Sequence, residues 1–120
     1  MTQEYIGTKQ ITAWPAPKDG ADGYSVKYSD GYTSWSPKAV FEAAYLPLGN
    51  ISHLPAHQQR VIGEKAQLDD NLAKLRAFLM GRAQALVKAD EFQRLTLQAD
   101  AMGIYSGVLA ERIAAFGEPA

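Results

Sequence analysis

The chain has 120 residues, of which 47% are hydrophobic and 21% charged, so it is a folded globular chain and not a disordered one. That length fits one compact domain or a small module joined to a helical hairpin, and a core of this size gains from oligomerisation. A net charge of -1 argues against coating duplex DNA, and the absence of cysteine excludes disulfides, thiol nucleophiles and thiolate metal sites.

In chain order, the start through Tyr5, Ile6 and Gly7 lacks the basic-then-apolar pattern of a secretory signal, and no apolar run nears transmembrane length. A cytosolic protein with no membrane partner is the expectation. Residues 5–14 carry β-branched and aromatic side chains and predict a first strand, ended by Pro15-Ala16-Pro17. A polar, glycine-rich loop over residues 18–23 follows. Tyr24, Val26 and Tyr28 then alternate onto one face of a second strand. Asp30-Gly31 supplies the positive φ of a tight hairpin, and residues 32–35 form the return strand. Ser36-Pro37 reads as N-cap and first position of a short helix over residues 38–45, with Val40, Phe41 and Ala44 toward the sheet.

The second half has a different grammar, rich in Ala, Leu, Gln and charges. Over residues 55–80, Val61, Leu68, Leu72, Leu75 and Leu79 recur close to a 3.5-residue period and predict a long helix. Gly81 breaks it, and residues 83–88 connect to a second helix over residues 89–116. Leu95, Ala99, Met102, Tyr105 (with Ser106), Leu109, Ile113 and Phe116 form its stripe. Each helix spans roughly 35–40 Å, and the short connection demands that they run antiparallel. The predicted fold class is α+β: a small N-terminal antiparallel sheet with a short helix (residues 1–50), then an antiparallel hairpin of two long helices (residues 51–120). Ile62, Phe78, Leu97, Ile104 and Val108 lie off the seam and need cover, from a second copy of the chain or from the N-terminal sheet.

The catalytic inventory is poor. There is no Gly-x-Ser-x-Gly, P-loop or dinucleotide fingerprint, and Ser106 has no evident base. No enzymatic activity, no cofactor and no metal site are therefore expected. His53 and His57 are four apart, but Pro55 lies between them and no third ligand stands at motif spacing, so they read as surface or capping residues. Asp69-Asp70 reads as a solvated acidic patch. Gly103 and Gly107 inside a helix each cost about 1 kcal/mol relative to Ala. They clear one face for a neighbouring helix or for a flat ligand. Lys74, Phe78 and Arg82 follow at four-residue steps, which places two cations and an aromatic on one face near the bend. Phosphates want cations and bases want π-faces, so the grouping suits a nucleotide. Arg60, Arg94 and Arg112 add cations, and Tyr105 and Trp35 add further stacking surfaces, for a candidate ligand site without catalytic residues.

Three stretches are more specific than this physics: residues 5–9, residues 23–38, and Val40-Phe41-Glu42 with Ala44-Tyr45. They resemble the N-terminal region of phage Thoeris anti-defence proteins of the first type. His57-Gln58-Gln59-Arg60-Val61 with Glu64, Leu72 with Lys74-Leu75 and Phe78, and Gln98 with Met102, Tyr105, Leu109 and Arg112-Ile113 resemble the helical hairpin shared with the phage anti-CBASS sponge. The resemblance implies a phage protein in the cytoplasm of an infected bacterium. Such a protein binds cyclic nucleotide immune signals (cyclic ADP-ribose isomers, cyclic di- or trinucleotides), leaves them intact and assembles with itself as a dimer or hexamer. The loop between the first two strands is shorter here than in many of those proteins. An alternative from another class is a phage protein whose β module docks and inhibits a host protein.

Overall fold

The computed structural model describes residues 1–117, and the chain divides into two compact units, Met1–Leu46 and Pro47–Ala120. The first unit is a three-stranded antiparallel meander of β1 (Thr12–Pro15), β2 (Gly23–Lys27) and β3 (Thr33–Pro37), followed by α1 (Lys38–Ala44). The β1–β2 connection is tighter than a polar loop. Lys18 and Ala21 exchange both backbone hydrogen bonds at 2.9 Å, with Asp19 (φ 51°) and Gly20 (φ 79°) between them. Two successive positive φ values are what a type I′ hairpin turn requires, and Asp-Gly is a favoured pair for it. At the second turn Gly31 takes φ 91°, and Tyr28 N–H donates to the Tyr32 carbonyl at 2.9 Å.

Alternation along β2 sorts the sheet as expected. Tyr24 and Val26 face α1, where Tyr24 stacks on Phe41 at 4.2 Å between centroids and Phe41 stacks on Tyr45 at 5.0 Å. Val26, 2% exposed, is the buried centre of this unit. On the opposite face the Trp35 ring lies over Gly23, and the Trp35 indole N–H donates to the Ala16 carbonyl at 2.6 Å.

Two sequence expectations shift here. The first strand begins at Thr12 and not Tyr5, because β2 ends its pairing at Thr12↔Lys27 and leaves residues 5–11 without a ladder. Ser36 does not cap α1. It belongs to β3, opposite Tyr24, and Pro37 is the N-cap. Proline fits the end of the strand because it has no N–H to leave unpaired.

The second unit is the predicted helical hairpin. The long helices are α2 (Ala56–Met80) and α4 (Ala89–Ala114), joined by Gly81, Arg82 and a single turn, α3 (Ala83–Leu86). They pack antiparallel along their length. The seam buries Val61 and Leu72 from α2 and Ala99 and Leu109 from α4, with Ala83 closing the bend. Asp90 and Glu91 in the first turn of α4 and Arg112 in its last turn complement the helix dipole. Tyr105 departs from the predicted stripe. It is 44% exposed, while Ser106 is half-buried toward α2. Of the five off-seam apolar residues, Ile62 and Phe78 are half-buried; Leu97, Ile104 and Val108 are exposed. Among the described residues no helix is long and apolar enough to cross a membrane.

Candidate functional site

A polar link ties α2 to α4 midway along the seam. Lys65 and Asp69 are one helical turn apart and pair at 2.6 Å through Asp69 Oδ2. Ser106 of α4 donates its hydroxyl to Asp69 Oδ1 at 2.5 Å, so both carboxylate oxygens are engaged. Asp69-Asp70 is thus not a plain acidic patch: Asp70 pairs instead with Lys74, at 2.9 Å. The i,i+4 spacing of Lys65 and Asp69 was visible in the sequence, but their tie to Ser106 depends on helix register.

Hydrogen bonds from Lys65 and then Ser106 hold the Asp69 carboxyl below its usual range, against a smaller upward push from burial; Lys65 and Arg76 add attraction. A carboxylate whose folded pKa is depressed stabilises the fold above its unfolded value of about 3.9, and that contribution fades as pH falls through the folded pKa. Asp69 is 44% exposed at its side chain, so screening limits the effect. Asp69→Asn is expected to lower stability by about 1 kcal/mol or less near neutral pH. Urea midpoints of the two proteins should converge as the pH falls to about 2; a gap that persists in acid would assign the loss to packing.

Beside this link lies a groove of about 310 Å³ with an apolar floor from Leu48, Ile51, Ile62 and Ile113, and Lys65 and Asp69 on its polar side. The antiparallel register puts Arg60, near the start of α2, and Arg112, in the last turn of α4, at this same end of the hairpin. Both side chains are exposed. Lys74, Phe78, Arg82 and Arg94 fall toward the opposite end. The predicted cations therefore form two groups.

The expected Lys74–Phe78–Arg82 face is not continuous. The helix stops at Met80, and Gly81 turns the backbone to φ -112° and ψ -95°, so Arg82, the N-cap of α3, lies off the four-residue progression. Phe78 is half-buried, Lys74 is paired with Asp70, and Arg94 is held by Glu91 at 2.8 Å and Asp90 at 3.7 Å. Trp35 lies in the other unit, half-buried over Gly23, with the Lys18 ammonium 5.8 Å from its ring. Gly103 makes room for a side chain and not for a helix backbone: a Cβ there would meet the Arg76 guanidinium at 3.1 Å. Gly107 borders open space. His53 and His57 are exposed, and among the described residues no group of three His, Cys, Asp or Glu side chains is arranged to hold a metal ion.

The hairpin thus carries a shallow apolar groove with exposed guanidinium groups toward the same end. Residues 55–115, just over half the chain and nearly all of that hairpin, match the family model Sequestin, and the chain belongs to the Sequestin family. The family name denotes sequestering a ligand. No curated protein and no solved structure matches the chain significantly.

Proposed function

We propose that the chain is a phage anti-defence sponge that binds and sequesters cyclic nucleotide immune signals in the bacterial cytoplasm without degrading them. The observation that carries this reading is the Sequestin match, which coincides with the hairpin bearing the groove and the Arg60 and Arg112 guanidinium groups. A cyclic nucleotide presents phosphates to those cations and base faces to an apolar floor or to an exposed ring such as Tyr105. Self-assembly through the helices, as a dimer or hexamer, belongs to the same reading. A sponge works by mass action, and nanomolar affinity corresponds to about -12 kcal/mol.

The test is a thermal-shift panel with cyclic ADP-ribose isomers and cyclic di- and trinucleotides. Ligand at 100 times Kd stabilises the folded state by about 2.7 kcal/mol. One nucleotide class should raise the melting temperature, and denaturing the complex should return it unmodified; recovery of a hydrolysed product would make the protein an enzyme. Arg60→Ala with Arg112→Ala should abolish the shift, and Phe78→Ala with Arg82→Ala should leave most of it. The reverse pattern would move the site to the bend. Exposed Trp14 (44%) and Tyr32 (65%) favour a second reading, docking of a host protein through the β unit. A stoichiometric host partner in the absence of any nucleotide shift would establish it.

A further inference from the structure

Both tryptophans of the chain stand on the face of the sheet that α1 leaves open. The strand register sets Trp14 of β1 and Trp35 of β3 on either side of Ser25, and Thr12 and Thr33 on either side of Lys27. At ordinary strand spacing the two tryptophan Cα atoms are about 10 Å apart. Trp35 lies flat. Its ring covers Gly23, where no Cβ lifts it, and its indole N–H is fixed on the Ala16 carbonyl at 2.6 Å. One ring face is therefore occupied by the sheet and the other is turned outward, with the Lys18 ammonium 5.8 Å from the ring centre. Trp14 is 44% exposed. At the opposite end of the face a hollow of about 430 Å³ opens beside Thr12, Lys27 and Ser29. Lys18 and Lys27 are exposed, and among the described residues no acidic side chain occupies a strand position on this face.

We propose that this face binds single-stranded nucleic acid, with unpaired bases stacked on Trp14 and Trp35 and phosphates held by Lys18 and Lys27. Every base has a π-face, and a flat sheet with aromatic side chains across its strands is a surface on which successive bases stack. A ring already held flat loses little freedom when a base settles on it. The ammonium groups at the two ends complement a phosphate backbone, and the hydroxyls of Thr12, Ser25 and Thr33 lie between them for sugar and base contacts. Other occupants of aromatic faces fit less well. A proline-rich peptide offers its carbonyls to donors such as an indole N–H, and that of Trp35 already serves Ala16. A neutral sugar has no counterpart for the two ammonium groups. A duplex keeps its bases stacked on one another, and a chain of net charge -1 has no broad basic surface to coat it. The face belongs to the β unit, and the assignment stands whether or not the hairpin holds a cyclic nucleotide.

The chain has no tryptophan elsewhere, so tryptophan fluorescence reads this face directly. The full chain is titrated at low salt with an oligothymidylate and an oligouridylate of about ten residues, within the usual site size of such surfaces. Saturable quenching by one or both is the expected result. A preference between them names DNA or RNA as the source, since only RNA carries the 2′-hydroxyl. With two phosphates neutralised, log affinity should fall with log salt at a slope of about -1.4, and Lys18→Ala with Lys27→Ala should weaken binding and flatten that slope. Both lysines are exposed, so the fold survives their removal. Trp14→Ala, read through Trp35, should weaken binding at least about fivefold. No quenching by either oligonucleotide, or a salt slope that the double lysine variant leaves unaltered, would overturn the site. Quenching by cyclic nucleotides alone would overturn it too, as would quenching by a stoichiometric host protein and by neither oligonucleotide. The thermal-shift panel on cyclic nucleotides is read separately, so failure of this site and failure of the sponge reading are distinguishable.

Discussion

Leu109→Ala is expected to destabilise the hairpin by about 2–5 kcal/mol. The side chain is fully buried on the inward face of α4, in the seam with Leu72 and Val61 of α2. Truncation there removes transfer free energy and leaves a cavity that two long helices, tied by the Asp69–Ser106 bond, are poorly able to close. The melting temperature followed by helical circular dichroism should fall by about 10 °C or more. Leu97→Ala is the control, the same residue type on the same helix. Leu97 is 66% exposed, so in dilute protein its truncation should cost under about 1 kcal/mol. An equal loss in both variants would place Leu97 in the core of the hairpin.

Long periodic elements were legible in the sequence, and for a physical reason. Each helix of the hairpin finds its burial in a repeated apolar pattern, so the Val61-to-Leu79 and Leu95-to-Ile113 spacings predicted α2 and α4 to within a few residues. The turn at Asp30-Gly31 was legible because few residues other than glycine tolerate the φ of 91° that Gly31 adopts. What escaped were features set by partners distant in sequence. Residues 5–11 have strand composition but no ladder, since the length of β1 is decided by where β2 turns. Ser36 has the chemistry of a cap, yet pairing with Tyr24 keeps it in β3. The link from Asp69 to Ser106 joins residues 37 apart and depends on helix register, which composition does not reveal. For the candidate site, residue types were readable but their grouping was not. Arg60 and Arg112 come to one end only because the helices run antiparallel, and Arg82 leaves the Lys74–Phe78 face because the helix ends at Met80, two residues short of it.

Gly23→Ala should unfold the β unit while sparing the hairpin. An added Cβ at Gly23 would collide with Cζ2 of Trp35 and stand 2.5 Å from the Ser36 carbonyl oxygen. The ring has no free escape, because its N–H is bonded to the Ala16 carbonyl. The Ser36 oxygen is fixed in the β2–β3 ladder, where Gly23 pairs with Pro37. Relief therefore requires breaking pairing or losing the indole bond, a cost of about 3 kcal/mol or more. A small unit centred on Val26 has little reserve against that loss. Near-ultraviolet dichroism and Trp fluorescence should report a disordered β unit, while far-ultraviolet helical signal and its melting persist. The same variant tests whether the hairpin binds by itself. If ligand is held by the hairpin alone, nucleotide-dependent stabilisation of the helical transition survives in Gly23→Ala. Its disappearance with helices intact would overturn the assignment of the ligand to the hairpin.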